Sequence, residues 1–344
     1  MRWLAAVRGW SADAGATGVP TPRIDRRTNR TDTVEEPVFE FPRVVGVSGT
    51  LRVGLVRDDE VPDWWRRLGL TGLVDAHVHF LPDPVMNAVW DYFDQAEQHY
   101  GVPWAVTYRT SAQDRLATLE ALGVRAFPAL VYPHKPDMAA WLSQWARDFA
   151  ASTPGCVPSG TFYPEPGAAT YVKEALDRGT RIFKVHVQVG DYDPRDDELD
   201  SVWGQLAEAS VPVVVHCGSG PLPGRHTGPG PFGEVLKKHP TLTAVIAHLG
   251  MPEYAEHLAL AERYPNVHLD TTMACTPFTE AMMPMAPDIP PRLAALQDRI
   301  VLGSDFPNIP YPYAVQLESL ERLDLGDDWL RAVCWHNGVR LLGL

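Results

Sequence analysis

The chain has 344 residues, 45% of them hydrophobic and 10% aromatic, and a formal charge of −13. This composition is globular with a sizeable core, and the negative charge, with no basic stripe, excludes a nucleic-acid partner and an anionic membrane surface. Four cysteines, Cys156, Cys217, Cys275 and Cys334, lie far apart with no C-x-x-C pair, which argues against a zinc ribbon, a redox motif or a disulfide framework and for a cytoplasmic location.

In chain order, residues 1–36 are rich in Arg, Thr, Asp, Gly and Pro, lack periodicity, and read as a flexible leader. Arg8 breaks the short apolar patch near the start, so no secretory signal is expected there. No apolar run reaches the roughly 18 residues of a membrane span. The main domain is placed at 37–344, with a small hairpin expected in FPRVVGVSGTLRVGLV. Residues 73–80 then alternate as LVDAHVHF, which predicts a strand with Asp75, His77 and His79 on one face. A long aromatic crossover follows. Residues 102–108 within it are assigned to an insertion, where Trp90, Tyr92 and Trp104 either wall a planar substrate or pack in the core.

Seven more apolar runs follow at 124–131, 157–163, 182–189, 211–217, 242–248, 267–271 and 299–305. Helix-like segments such as DMAAWLSQWARDFAAS, GAATYVKEALDRG, DELDSVWGQLAEAS and EYAEHLALAERYP separate them. Eight runs with helical spacers predict an α/β fold, a (β/α)8 TIM barrel with a small N-terminal extension. The alternative, an open doubly wound sheet, lacks its Gly-rich turn after the first strand.

In such a barrel the chemistry sits at the C-terminal ends of the strands. The runs end in His77 and His79, in Tyr132-Pro-His134, in TFYPEP with Glu165, in His216, His248, Asp270 and Asp305, and the fourth places Ile182, Lys184, His186 and Gln188 on one face. A lone histidine at a strand end more often bonds a loop carbonyl than a metal. Histidines and a carboxylate recurring at several converging strand ends instead make a ligand set suited to zinc, manganese or iron.

These residues carry a resemblance. DAHVHF at 75–80, VVVHCG at 213–218, AHLG at 247–250 and LGSDFP at 302–307, in that order, resemble the amidohydrolase superfamily. The nearer branch is the amidohydrolase-related one, with its metal-dependent hydrolases and its aminocarboxymuconate-semialdehyde and resorcylate decarboxylases. The resemblance implies one divalent metal, zinc first and manganese or iron as alternatives, held by His77, His79, His216 and Asp305. It implies that Asp305 accepts a proton from water and that His248 acts as an acid/base or hydrogen-bond donor, though binuclear relatives use that histidine as a second-metal ligand. Lys184 matches the carboxylated lysine of binuclear members, but four residues follow it in its run, so it reads as lying too deep and as a substrate-contacting amine. His186 fits structure and function equally.

The implied activity is hydrolysis of a small-molecule amide, lactone or ester; nonoxidative decarboxylation of an aromatic or unsaturated acid is the alternative, and a non-catalytic metal-binding barrel the third reading. Substrate contacts are expected from Lys184, Glu165, Arg225, Asn308 and Tyr311. Glu165 either approaches the metal or binds a loop amide, and Arg225, with His226, either meets an anionic group or is solvated. The glycine-rich loop around Arg225 lacks the G-K-[S/T] ending of a phosphate loop. Asp75 is expected to orient its neighbours, and Asp270, His336 and Asn337 to be structural. A homodimer is expected by analogy with relatives.

Overall fold

The computed structural model describes residues 57–344. The expected leader and the expected hairpin at 41–56 lie outside the described residues. Nine short strands carry the fold: β1 (Leu73–Val74), β2 (Val124–Pro128), β3 (Cys156–Val157), β4 (Ser159–Gly160), β5 (Ile182–His186), β6 (Val213–His216), β7 (Ala244–Ile246), β8 (Val267–Asp270) and β9 (Ile300–Val301). All neighbours pair in parallel, β1-β2-β3 in one ladder and β4 through β9 in the other.

β3 and β4 are two halves of the third predicted run. Pro158 stands between them and has no N–H for the ladder, so β3 pairs back to β2 and β4 forward to β5. The eighth run returns to the first. Ala76 N donates to Leu302 O at 2.8 Å and His79 N to Phe306 O at 2.7 Å, and Val78 bridges Phe306 in parallel. The eight predicted runs are therefore the eight staves of the (β/α)8 barrel.

Helices follow each stave for local reasons. Asp197–Ala209 shows the pattern: Asp196 caps it by accepting from Glu198 N at 3.0 Å, and Asp197, Glu198 and Asp200 place negative charge in its first turn. Leu199, Val202, Trp203 and Leu206, three to four apart, form the stripe it buries against the sheet. The expected segments at Ala139–Ser152, Ala168–Asp177 and Tyr254–Arg263 are helices too. Residues 102–108 form no strand. They lie beside the end of the eighth stave, where Thr107 N donates to Ile309 O at 2.9 Å.

Two apolar layers result. Leu73, Phe183, Val213 and Leu269 belong to the layer shared with the helices, while Val74, Ala76, Val214, Val245 and Val301 form a second cluster with Leu342 of the final helix. That helix, Asn337–Leu342, packs so closely that a Cβ on Gly338 would stand 2.6 Å from Val74 Cγ1. Gly338→Ala is expected to destabilise the fold by about 1–3 kcal/mol through overpacking. Urea denaturation measures this, and an unchanged midpoint would show that the helix does not press on the first stave.

Candidate metal and catalytic centre

The first stave does not alternate as predicted. Asp75 Oδ1 accepts from His77 N at 3.0 Å, the i to i+2 bond of an Asx turn. Val74 and Ala76 both pack in the inner cluster. Asp75 thus leaves the face of His77 and His79. Its other oxygen accepts from the hydroxyls of Ser304 and Tyr313, the latter at 2.8 Å. Burial pushes its carboxyl up to about 7, against these three donors. The bend aims both histidines at one point.

Each histidine is oriented through its far nitrogen. His79 Nδ1 lies 2.8 Å from Leu130 O, and His77 Nδ1 lies 2.9 Å from Asp270 Oδ2. A carbonyl or carboxylate oxygen only accepts, so these nitrogens carry the protons. The two Nε2 atoms face Asp305 Oδ1, at 3.0 Å from His79 and 3.5 Å from His77. Lone pairs gathered around a half-buried carboxylate repel one another unless a cation joins them. The three donor atoms lie within 4.8 Å of one another, and this N2O set fits a divalent metal.

Lys184 reaches the same place. The strand ends at His186, where a helical turn, Val187–Gly190, begins, so two residues rather than four follow the lysine. Its Nζ lies 3.0 Å from His77 Nε2, which corrects the reading that it lies too deep. Burial brings its ammonium down to about 8, opposed by the charges of Asp270 and Asp305. The His77 lone pair serves Lys184 or a metal, not both at once.

Asp270 does more than the structural work expected of it. Besides His77, it accepts from His248 N at 2.8 Å and Thr272 N at 3.1 Å. Burial alone would raise its carboxyl, but the hydrogen bond and electrostatic pull of His77, with those of His248 and the Lys184 amine, hold it well below the usual range. The same balance holds at Asp305, where burial is outweighed by His79, His77 and His248. His248 (φ +58°), Leu249 (+52°) and Asp305 (+69°) all sit in the left-handed region, each at a cost of about 1–3 kcal/mol. Gly303 of the LGSD motif permits the final contact: a Cβ there would lie 2.1 Å from Thr272 Oγ1 and 2.9 Å from His77 Cβ.

His248 Nδ1 lies 3.1 Å from Thr272 O, leaving an Nε2 lone pair, and burial brings its pKa down to about 4. His216 has the opposite tautomer, its Nε2 lying 3.1 Å from Gly220 O. It is not among the three close donors but stands beside them in a circuit of rings. Centroids run from His77 to His79 (5.1 Å), Tyr132 (5.4 Å), His186 (5.3 Å), His216 (3.8 Å), His248 (4.6 Å) and back to His77 (5.2 Å).

Residues 74–344 match the family model described as amidohydrolase. The chain belongs to the amidohydrolase family. Among solved structures it is similar to an uncharacterized TIM-barrel protein, Bb4693, of Bordetella bronchiseptica, at 20% identity and a TM-score of 0.63 over 79% of this chain and 98% of that one. It is also similar to the 5-carboxyvanillate decarboxylase of Novosphingobium aromaticivorans complexed with manganese and a nitrobenzoic acid (14%, 0.53, 80% and 97%). A third is a probable 2-pyrone-4,6-dicarboxylic acid hydrolase of Acinetobacter baumannii with citric acid bound (10%, 0.51, 80% and 100%). At these identities the likeness is one of fold. Comparison with curated proteins gives no match.

The other expected contacts of this amidohydrolase are placed variously. Glu165 takes its loop-amide option, accepting from Asp137 N at 2.6 Å and Tyr171 Oη at 3.0 Å. Asn308 is engaged by two buried indoles: Trp90 Nε1 donates to its Oδ1 at 3.1 Å and Trp104 Nε1 to its carbonyl at 2.6 Å. These tryptophans therefore pack and hold the loop. Arg225 is exposed, and His226 pairs with Asp193 at 3.4 Å. Tyr311 is buried, and the charge of Asp305 adds to burial in raising its phenol. Asn337 Nδ2 donates to the carbonyls of Gln297 and Ile300 at 2.7 Å each, a structural role. No helix among the described residues is long and apolar enough to cross a membrane.

Asp270→Asn is expected to leave the fold intact and weaken zinc binding about 10–100-fold, the usual cost of losing a ligand's hydrogen-bond partner. Competition with a chromophoric chelator reads this, and an unchanged affinity would return Asp270 to a structural role. The metal-free protein is expected to lose stability as pH falls from about 6.5 toward 4. Burial lowers His77 and His248 to about 4, so their contribution is whole above 6.5 and lost on acidification. Asp75, raised to about 7, runs the opposite way over the same window, but it is one group against several buried histidines. Urea midpoints at about pH 7 and pH 4.5 check the sign.

Proposed function

We propose that this chain is a metal-dependent hydrolase that directs water at a small-molecule amide, lactone or ester. The observation that carries the reading is that the oxygen of the N2O donor set, Asp305, and the neighbouring His248 are both proton acceptors. A divalent ion, zinc first with manganese or iron as alternatives, held by His77, His79, His216 and Asp305, would supply Lewis acidity and make water ionisable near neutral pH.

The protein's own groups supply the rest. Asp305 is held as a carboxylate and accepts the proton of the attacking water. His248 is neutral, and Thr272 O fixes its proton on Nδ1, so its free Nε2 takes the water's proton on from Asp305 and passes it to the leaving group, which returns Asp305 to its carboxylate. A resting imidazole of this tautomer has no N–H to offer an oxyanion from Nε2, which favours proton transfer over the hydrogen-bond-donor role. Asp270 keeps His77 and His248 in register while this happens.

Decarboxylation of an aromatic or unsaturated acid is the second reading. It is favoured by Lys184, a buried amine whose pKa of about 8 leaves it a proton to donate to carbon. To separate the two, metal-stripped and zinc- or manganese-reloaded protein is assayed against lactones, amides, esters and aromatic carboxylates. Hydrolytic product with no carbon dioxide supports the first reading, and carbon dioxide alone the second. Asp305→Asn is expected to lower kcat about 10²–10⁴-fold with the fold retained; full activity in that variant, or no metal-dependent activity in the wild type, would overturn the proposal.

A further inference from the structure

Two rings of the circuit belong neither to the four proposed ligands nor to the proton-handling pair: Tyr132, just past the second stave, and His186, at the end of β5. His186 stands in register with His216 and stacks flat on it, centroids 3.8 Å apart at 12°. Its tautomer is fixed by the backbone. Val189 N donates to His186 Nδ1 at 3.3 Å, so the proton lies on Nε2. Burial, then the neighbouring His216 and Lys184, keeps the ring neutral. Of the imidazoles whose bonds are described above, His186 and His216 carry Nε2–H, and the His216 proton is taken by Gly220 O.

Tyr132 lies edge-on to His79 at 5.4 Å and tilts against His186 at 5.3 Å. It is close enough to Asp305 that this charge, after burial, raises its phenol, so the hydroxyl keeps its proton. Among the described residues that hydroxyl has no hydrogen-bond partner. The phenol ring of Tyr132 and the imidazole of His186 are therefore neighbours at the edge of the cluster, one beside His79 and the other beside His216. Both residues are only partly buried, so a ligand can reach their polar atoms, and an oxygen that it brings can accept from both.

We propose that Tyr132 Oη and His186 Nε2 are a donor pair that holds one carbonyl or carboxylate oxygen of a planar substrate beside the histidine–Asp305 cluster. This deepens the hydrolase reading and rests on it for the identity of the bound molecule as substrate. Their ring faces give a flat group a surface to lie on. Neither donor bears a charge, so the pair accepts a neutral carbonyl as well as an anion.

The test is calorimetric titration of benzoate into zinc-reloaded protein, for the wild type, Tyr132→Phe and His186→Phe. Phenylalanine at 186 keeps a flat ring against His216 while removing the N–H. Each variant is expected to bind benzoate about 10–100-fold more weakly, the loss of one hydrogen bond to a charged group, with zinc affinity unchanged. Wild-type benzoate affinity in either variant, or no saturable binding by the wild type, would overturn the donor pair. A fall in zinc affinity that accounts for the loss would do so too, because the residues would then act through the ligands. If the protein takes no zinc, the hydrolase reading fails by itself, and benzoate titrated into the zinc-free protein judges the pair alone.

Discussion

The centre depends on one buried carboxylate. Asp270 lies at the end of the seventh stave and takes a ring proton from the first stave, a backbone proton from the turn after the sixth and another from its own loop. A charge in this position would be costly without such donors. With them it becomes the fixed point from which two histidines are aimed. It turns His77 Nε2 toward Asp305, and it holds the backbone of His248 in a left-handed conformation that the residue does not prefer. The strain is confined to the turns that carry the site, and the regular barrel beneath them sustains it.

The charge balance follows from the same arrangement. Asp270 and Asp305 are both held ionised, while burial holds His77 and His248 neutral. The interior thus carries negative charge and several unshared lone pairs against one amine, Lys184. That imbalance is what a divalent cation corrects, and it explains why histidines and carboxylates gather here rather than the apolar side chains of the layer below. Asp75 is kept out of the balance. Its bend turns it toward Ser304 and Tyr313, whose hydroxyls satisfy it without a charge.

What was legible in the sequence was whatever depends on periodicity. The eight staves, their parallel order and the helices between them follow from apolar runs and amphipathic stripes, and the strand-end histidines follow from the fold. The reading failed where one side chain or one missing N–H interrupts the pattern. Asp75 bonds the amide two residues on and breaks the alternation of LVDAHVHF. Pro158 splits the third run, and His186, by capping the turn at Val189, ends the fourth run early and leaves Lys184 within reach of His77. Partners distant in sequence were also invisible: Glu165 binds the amide of Asp137, and Asn308 meets Trp90 from the other end of the chain.

The roles of Asp270 and Tyr132 had a signal that was available, since both end apolar runs as the other site residues do. Position alone placed them at the mouth, but it did not reveal direction. Direction comes from the hydrogen bond each group makes on its far side. A carbonyl behind His79 or His248 makes Nε2 an acceptor, and an amide proton behind His186 makes Nε2 a donor. Imidazoles of identical composition are thereby divided between those that present a lone pair at Nε2 and those that present a proton there. That division is set by backbone groups of the neighbouring staves, so the chemistry of this site is written as much in the barrel's main chain as in its histidines.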